Sequence, residues 1–154
     1  IVRYLLGPLT EVQAVEGRKI QDLAVEDTVR MFARTEGGAM ASIDLSWSLN
    51  KESPYYLSIY GSYGTVLVGW KDSKYRRSVD HDWIVFGSGY DKREAFTNQI
   101  NNFVGALRGE EELLIKPDDA LASVDVIEVA YDSLRRDTWL PVGQAWTPQV
   151  AVVS

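Results

Sequence analysis

The stretch Val25–Trp47, VEDTVRMFARTEGGAMASIDLSW, reads as two strands joined by a Gly-rich turn. On the first strand Val29, Met31 and Ala33 alternate with Thr28, Arg30, Phe32 and Arg34. On the second, Ala39, Ala41, Ile43, Leu45 and Trp47 alternate with Met40, Ser42, Asp44 and Ser46. Alternation of period two puts one set on a covered face and the other on a mixed outer face. A one-residue slip would move Ser42 and Asp44 onto the covered face, so the pattern fixes the register. A three-residue loop, Glu36 to Gly38, then pairs Ala33 with Ala41, Met31 with Ile43 and Val29 with Leu45. It leaves Gly38 at the left-handed position and Arg30 opposite Asp44.

Upstream, Ile1 to Leu6 has the look of closing helical turns stopped by Gly7 and Pro8, which predicts a chain that begins inside an element of something longer. Thr10 to Val15 predicts a strand, and Glu16 to Asp22, with Gly17, a loop at the rim. Downstream, Asn50 to Pro54 is a connection and Tyr55 to Tyr60 a strand. The turn Gly61-Ser62-Tyr63-Gly64 returns the chain through Thr65 to Val68, making a second hairpin. Tyr75 to Val79 and Trp83 to Phe86 are weaker strands.

Two amphipathic helices follow. Phe96, Ile100, Phe103, Val104 and Leu107 form the stripe of the first, with Gly109 as its stop. Leu121, Val124, Ile127, Tyr131 and Leu134 form that of the second, which opens on Pro117-Asp118-Asp119 and closes on Arg135-Arg136. Trp139 to Val142 adds a last strand. Strands first and helices later predict an α+β domain: an open, mostly antiparallel (mixed) β-sheet with helices packed on one face. Its expected extent is residues 1–142, with 143–154 an arm or tail, and Trp146 and Val150 to Val153 of that tail could shield the sheet within one chain.

Composition narrows the classes. The chain has 154 residues, 45% hydrophobic, no Cys and a net charge of −6. That is enough to bury a core, and it leaves no disulfide framework, thiolate nucleophile or Cys-bound zinc. The acidic balance disfavours a phosphate backbone as partner, since Arg76-Arg77 and Arg135-Arg136 are too short for a nucleic-acid stripe. No apolar run reaches the roughly 20 residues that span a bilayer, so neither nucleic acid nor membrane is an expected partner and a cytoplasmic location is the default.

Chemistry is sparse in the residues themselves. His81 lies between Asp80 and Asp82, but neighbours in an extended chain point to opposite sides and no second His is present, so a solvated turn outweighs a metal site. Glu110-Glu111-Glu112 reads as a solvated linker. Gly61-Ser62-Tyr63-Gly64 is followed by a strand, which makes it a turn and not a phosphate cradle. Tyr55, Tyr56, Tyr60, Trp70, Trp83 and Phe96 could line a sugar pocket, with core packing the stronger expectation. No catalytic residue and no metal ligand is assigned.

The order of five pieces is more telling. RYLLGPLTEVQA (Arg3 to Ala14), VEDTVRMFARTEGGAMASIDLSW, LSIYGSYGTV (Leu57 to Val66), FTNQINNFVGALRG (Phe96 to Gly109) and PDDALASVDVIEVAYDSLRR (Pro117 to Arg136) together resemble the C-terminal domain of the Gfo/Idh/MocA family of NAD(P)-dependent oxidoreductases. Gln99 stands where family members commonly carry Glu. The resemblance implies a fold like the C-terminal domain of glyceraldehyde-3-phosphate dehydrogenase-like oxidoreductases. It also implies a parent with a preceding Rossmann domain that uses NAD or NADP on a sugar, cyclitol or related polyol. The family's nucleotide loop, Lys and His motifs do not occur here, so the chain alone is expected to bind no cofactor and to be inactive. Tyr90, Lys92 and Arg93 fall where the resemblance places the substrate cleft. Arg30, Phe32, Met40, Ser42 and Asp44, with Tyr56 and Tyr60 if the third strand is a neighbour, make an outer face too aromatic for a bare sheet. Such a face is expected to join subunits as a homodimer or homotetramer. The rival reading is a non-enzymatic ligand-binding or interaction module of the same fold.

Overall fold

The computed structural model describes residues 1–143. The expected arm, 143–154, with Trp146 and Val150 to Val153, otherwise lies outside the described residues. The chain divides into two compact units: Ile1–Leu49 with the segment from Ile115 onward, and Asn50–Leu114.

The first unit holds α1 (Val2–Leu6), β1 (Leu9–Glu16), β2 (Thr28–Thr35), β3 (Met40–Ser46), α3 (Pro117–Arg136) and β8 (Leu140–Pro141). Its sheet has the order β3-β2-β1-β8, every neighbour antiparallel. The central hairpin takes the register read from its alternation: Ala33 opposite Ala41, Met31 opposite Ile43, Val29 opposite Leu45 and Arg30 opposite Asp44. Its turn closes through the Thr35 N–H on the Ala39 carbonyl and the Gly38 N–H on the Thr35 carbonyl, with Gly38 at φ +81°. That value is open to glycine and strained for a side chain.

The core gathers Leu9, Val12, Ala33 and Val126, with Val2, Met31, Ala41, Val129 and Val142 packed around them. α3 lies on β1 and turns a different stripe to it than periodicity predicted. Ala122, Val126, Val129 and Ser133 face the sheet, whereas Leu121 is 70% exposed and Val124 and Ile127 are 55% exposed. The reason is a polar residue that sequence patterning discards. The fully buried Ser133 hydroxyl accepts the Ala14 N–H at 2.9 Å and donates to the Thr138 carbonyl at 2.6 Å. It thereby satisfies a strand donor beside the two-residue β8.

The second unit holds β4 (Tyr55–Gly61), β5 (Gly64–Gly69), β6 (Ser73–Arg77), β7 (Ile84–Gly87) and α2 (Lys92–Leu107). Its strands run β4-β5-β6-β7, again all antiparallel. α2 starts on Asp91, whose carboxylate accepts the Glu94 N–H at 3.0 Å. Its buried positions are Asn102 and Gly105, and its Phe96, Ile100, Phe103 and Leu107 stripe is exposed. The segment after the helix folds back: the Asn102 amide donates to Glu111 and to the Glu112 carbonyl, both at 2.8 Å, and its oxygen accepts the Leu114 N–H at 3.0 Å. The Glu110-Glu111-Glu112 run, expected as a solvated linker, is thus tied to α2 through Glu111. The α+β class and the antiparallel hairpins agree with the sequence reading.

Candidate functional site

Tyr90, Lys92 and Arg93 fall where the last turn of the second unit's loop becomes α2. They do not converge on one point. The Lys92 ammonium lies over the Phe96 ring of its own helix, 5.9 Å from the centroid, and Arg93 is exposed on the first helical turn. Tyr90 turns instead toward Trp70, ring centroids 6.1 Å apart and planes at 73°, and Trp70 meets Tyr56 at 4.6 Å. Core packing, expected for this aromatic set, therefore fails for Tyr56 and Trp70, which are 43% and 55% exposed. On the same sheet the Lys74 ammonium sits 5.1 Å from both the Tyr55 and Trp83 rings, and Arg76 lies 5.0 Å over Trp83. The hydrogen bond with Tyr55 raises the Lys74 pKa.

The candidate interface residues of the hairpin share one outer face, as the register requires. Arg30 pairs with Asp44 through its Nε and Nη2, the second contact at 3.2 Å, and this partner raises the Arg30 pKa. Phe32 stands opposite Ser42, and the exposed Met40 opposite Arg34. Arg34 adds two contacts that sequence reasoning did not anticipate: an ion pair with Glu11 at 2.9 Å and a stack on Trp139 at 4.5 Å. Tyr56 and Tyr60 do not extend this face as neighbours of the hairpin, because β4 pairs with β5 and not with β3.

A separate groove opens on the covered face of the first unit, about 410 Å³ in volume, between Val29, Met31, Ile43 and Leu45 of the hairpin and Ile127 and Leu134 of α3. Tyr131 donates to Glu26 at its rim, 2.7 Å, which raises the tyrosine pKa. Beside it Asp27, nearly fully buried, gathers the N–H groups of Ile20 (2.7 Å) and Gln21 (2.9 Å) and the Ser48 hydroxyl (3.0 Å) on one carboxylate oxygen. Donation from Gln21 and then Ile20 holds its pKa below the ordinary value, with burial acting the other way. The knot closes the rim loop expected at Glu16 to Asp22.

Asp80 of the Asp-His-Asp triplet is taken by Arg77 three residues earlier, at 2.7 and 2.9 Å. That pairing lowers the Asp80 pKa and makes the triplet part of an ion-paired turn. Among the described residues no cluster of His, Asp and Glu has metal-holding geometry, and no helix is long and apolar enough to cross a membrane.

Comparison with known proteins bears out the family resemblance. Residues 1–67 match the model of the GFO/IDH/MocA C-terminal domain. Among solved structures, levoglucosan dehydrogenase in complex with NADH and levoglucosan is similar over 94% of this chain and 47% of its own, with a TM-score of 0.80 at 17% identity. The NAD-binding oxidoreductase from Klebsiella pneumoniae is similar over 94% and 48%, with a TM-score of 0.79 at 16% identity. The WlbA dehydrogenase from Bordetella pertussis, in complex with NADH and UDP-GlcNAcA, is similar over 94% and 42%, with a TM-score of 0.62 at 20% identity. At such identities the likeness establishes the fold, and the chain spans about half the length of these structures. No curated protein sequence matches the chain significantly.

Proposed function

We propose that the chain is the substrate-facing and subunit-joining domain of an NAD(P)-dependent dehydrogenase or reductase that acts on a sugar, cyclitol or related polyol. In the parent protein, hydride would pass between a carbinol carbon and a nicotinamide held by a nucleotide-binding domain, and this domain would orient the substrate. The observation that carries the reading is the match of residues 1–67 to an oxidoreductase C-terminal domain, together with superposition of 94% of the chain on a dehydrogenase solved with NADH. Tyr90 is the first of the cleft residues, Lys92 and Arg93 flank it at the start of α2, and the Arg30, Phe32, Met40, Ser42 and Asp44 face joins copies. Residues 1–142 act as this domain, and the location is cytoplasmic.

The test is a parent preparation offered NAD+ and NADP+ with a panel of sugars, cyclitols and polyols, with nicotinamide reduction followed at its absorbance. Reduction with at least one polyhydroxylated substrate is expected. A parent that binds neither dinucleotide would overturn the reading.

A further inference from the structure

Trp70, Tyr56 and Tyr90 form an aromatic group that stays open to solvent, with 55%, 43% and 46% of the three residues exposed. Rings normally bury against one another, and a contiguous set left uncovered marks an interaction surface. This set is also fixed from behind. The Trp70 N–H donates to the Pro54 carbonyl and the Trp70 carbonyl accepts the Tyr90 N–H, both at 3.1 Å. Two glycines allow that closeness. A Cβ at Gly89, which sits at φ +96°, would lie 2.4 Å from the Trp70 oxygen, and one at Gly69 would lie 2.7 Å from the Pro54 oxygen. The main chain that carries Trp70 and Tyr90 is therefore pinned on both sides.

Trp70 also lines a cleft of about 630 Å³, whose other walls include Glu52, Ser53, Lys71 and Asp72. That volume falls within the ~300–1,000 Å³ range of small-molecule sites. Carboxylates accept hydrogen bonds from hydroxyls and an ammonium can donate three, while the signs on the wall balance, with Lys51 and Lys71 against Glu52 and Asp72. A neutral polyhydroxylated ligand suits such a wall better than an anion. The indole offers the electron-rich ring face on which partly positive C–H bonds settle.

We propose that Trp70, supported by Tyr56 and Tyr90, is a stacking platform for the C–H face of a ring-form sugar or cyclitol, with Glu52, Lys71 and Asp72 binding its hydroxyls. This rests on the sugar reading above and narrows it, because an open-chain polyol presents no flat C–H face. The test is an NMR titration of the 154-residue chain, following the Trp70 indole N–H, with methyl β-D-glucopyranoside, myo-inositol and open-chain sorbitol as probes. A saturable shift is expected with at least one ring probe, and sorbitol should bind about tenfold more weakly or worse. Trp70→Ala should weaken ring binding about tenfold, with Trp70→Phe, which keeps a ring, recovering most of it. No shift at the Trp70 indole, sorbitol equal to the ring probes, or a folded Trp70→Ala variant that binds as tightly as the original would each overturn the platform. The two readings fail separately. A parent that turns over ring sugars with KM unchanged by Trp70→Ala keeps the dehydrogenase and loses the platform, whereas ring binding at Trp70 in a parent without dinucleotide binding does the reverse.

Discussion

Asp27 is a single carboxylate on which a whole loop hangs. Its folded pKa is depressed by the Gln21 and Ile20 N–H groups, so its stabilising contribution is complete above the ordinary aspartate value of ~3.9 and disappears as pH falls through the lower folded value. The Ile20 and Gln21 amide resonances should therefore hold steady down to about pH 4 and titrate together only below it. A shared midpoint above that pH would show that the carboxylate does not hold the loop. Asp27→Ala should abolish this transition and lower Tm by several degrees. Ser133 makes the same point for a neutral group. Ser133→Ala strands the buried Ala14 N–H and should cost about 1–3 kcal/mol in urea unfolding. An unchanged midpoint would mean water replaces the hydroxyl. Neither role was legible in the sequence, where an Asp before a strand and a Ser within a helix carry no period, and only chain folding brings them to their partners.

At the scale of elements, the register of the hairpin and the spans of the two long helices were legible, and the faces those helices bury were not. Strand alternation gives two faces, and one turn then settles every cross-strand pair from Val29–Leu45 to Ala33–Ala41. A helix can carry two adjacent apolar stripes, and periodicity cannot rank them: α3 docks through Val126, Val129 and Ser133 and leaves Leu121 and Val124 to solvent. The candidate site divided in the same manner. Tyr90 was named only through the family resemblance, and Trp70, against whose ring it packs, was assigned to the core, since exposure is not written in an aromatic's spacing. The turn offers a test inside one element. Gly38 sits at φ +81° and Gly37 does not share that conformation, so Gly38→Ala should cost about 1 kcal/mol or more while Gly37→Ala is nearly silent. Equal effects at the two positions would contradict the turn geometry.

For the whole molecule, the outer face of the hairpin and the absent nucleotide motifs set the expectations. If the Arg30, Phe32, Met40, Ser42 and Asp44 face joins copies, light scattering should find the chain dimeric or larger at high micromolar concentration, and Phe32→Glu should shift it to monomer. A monomer whose size and solubility ignore Phe32→Glu would exclude that interface. Calorimetry of the 154-residue chain with NADH should give negligible heat, and micromolar binding would place a nucleotide site where none is expected. What the sequence did not convey at this scale is the division at Asn50 and Leu114: the connections were visible as polar, Pro-bearing stretches and the β4–β5 hairpin was expected, but local pattern does not say whether β4 also joins the sheet of β3.

That division has a consequence in time. The first unit is split in sequence, with Ile1–Leu49 made early and α3 made only after Asn50–Leu114 has been synthesised. The contacts that finish it, Ala14 with Ser133 and Glu26 with Tyr131, join residues more than a hundred positions apart. On the ribosome the hairpin must therefore wait with its apolar face unsheltered while the later strands emerge and can already pair with their immediate neighbours. Nascent chains stalled before Pro117 are the species in which a chaperone would find that face, and release of the chaperone should coincide with emergence of α3.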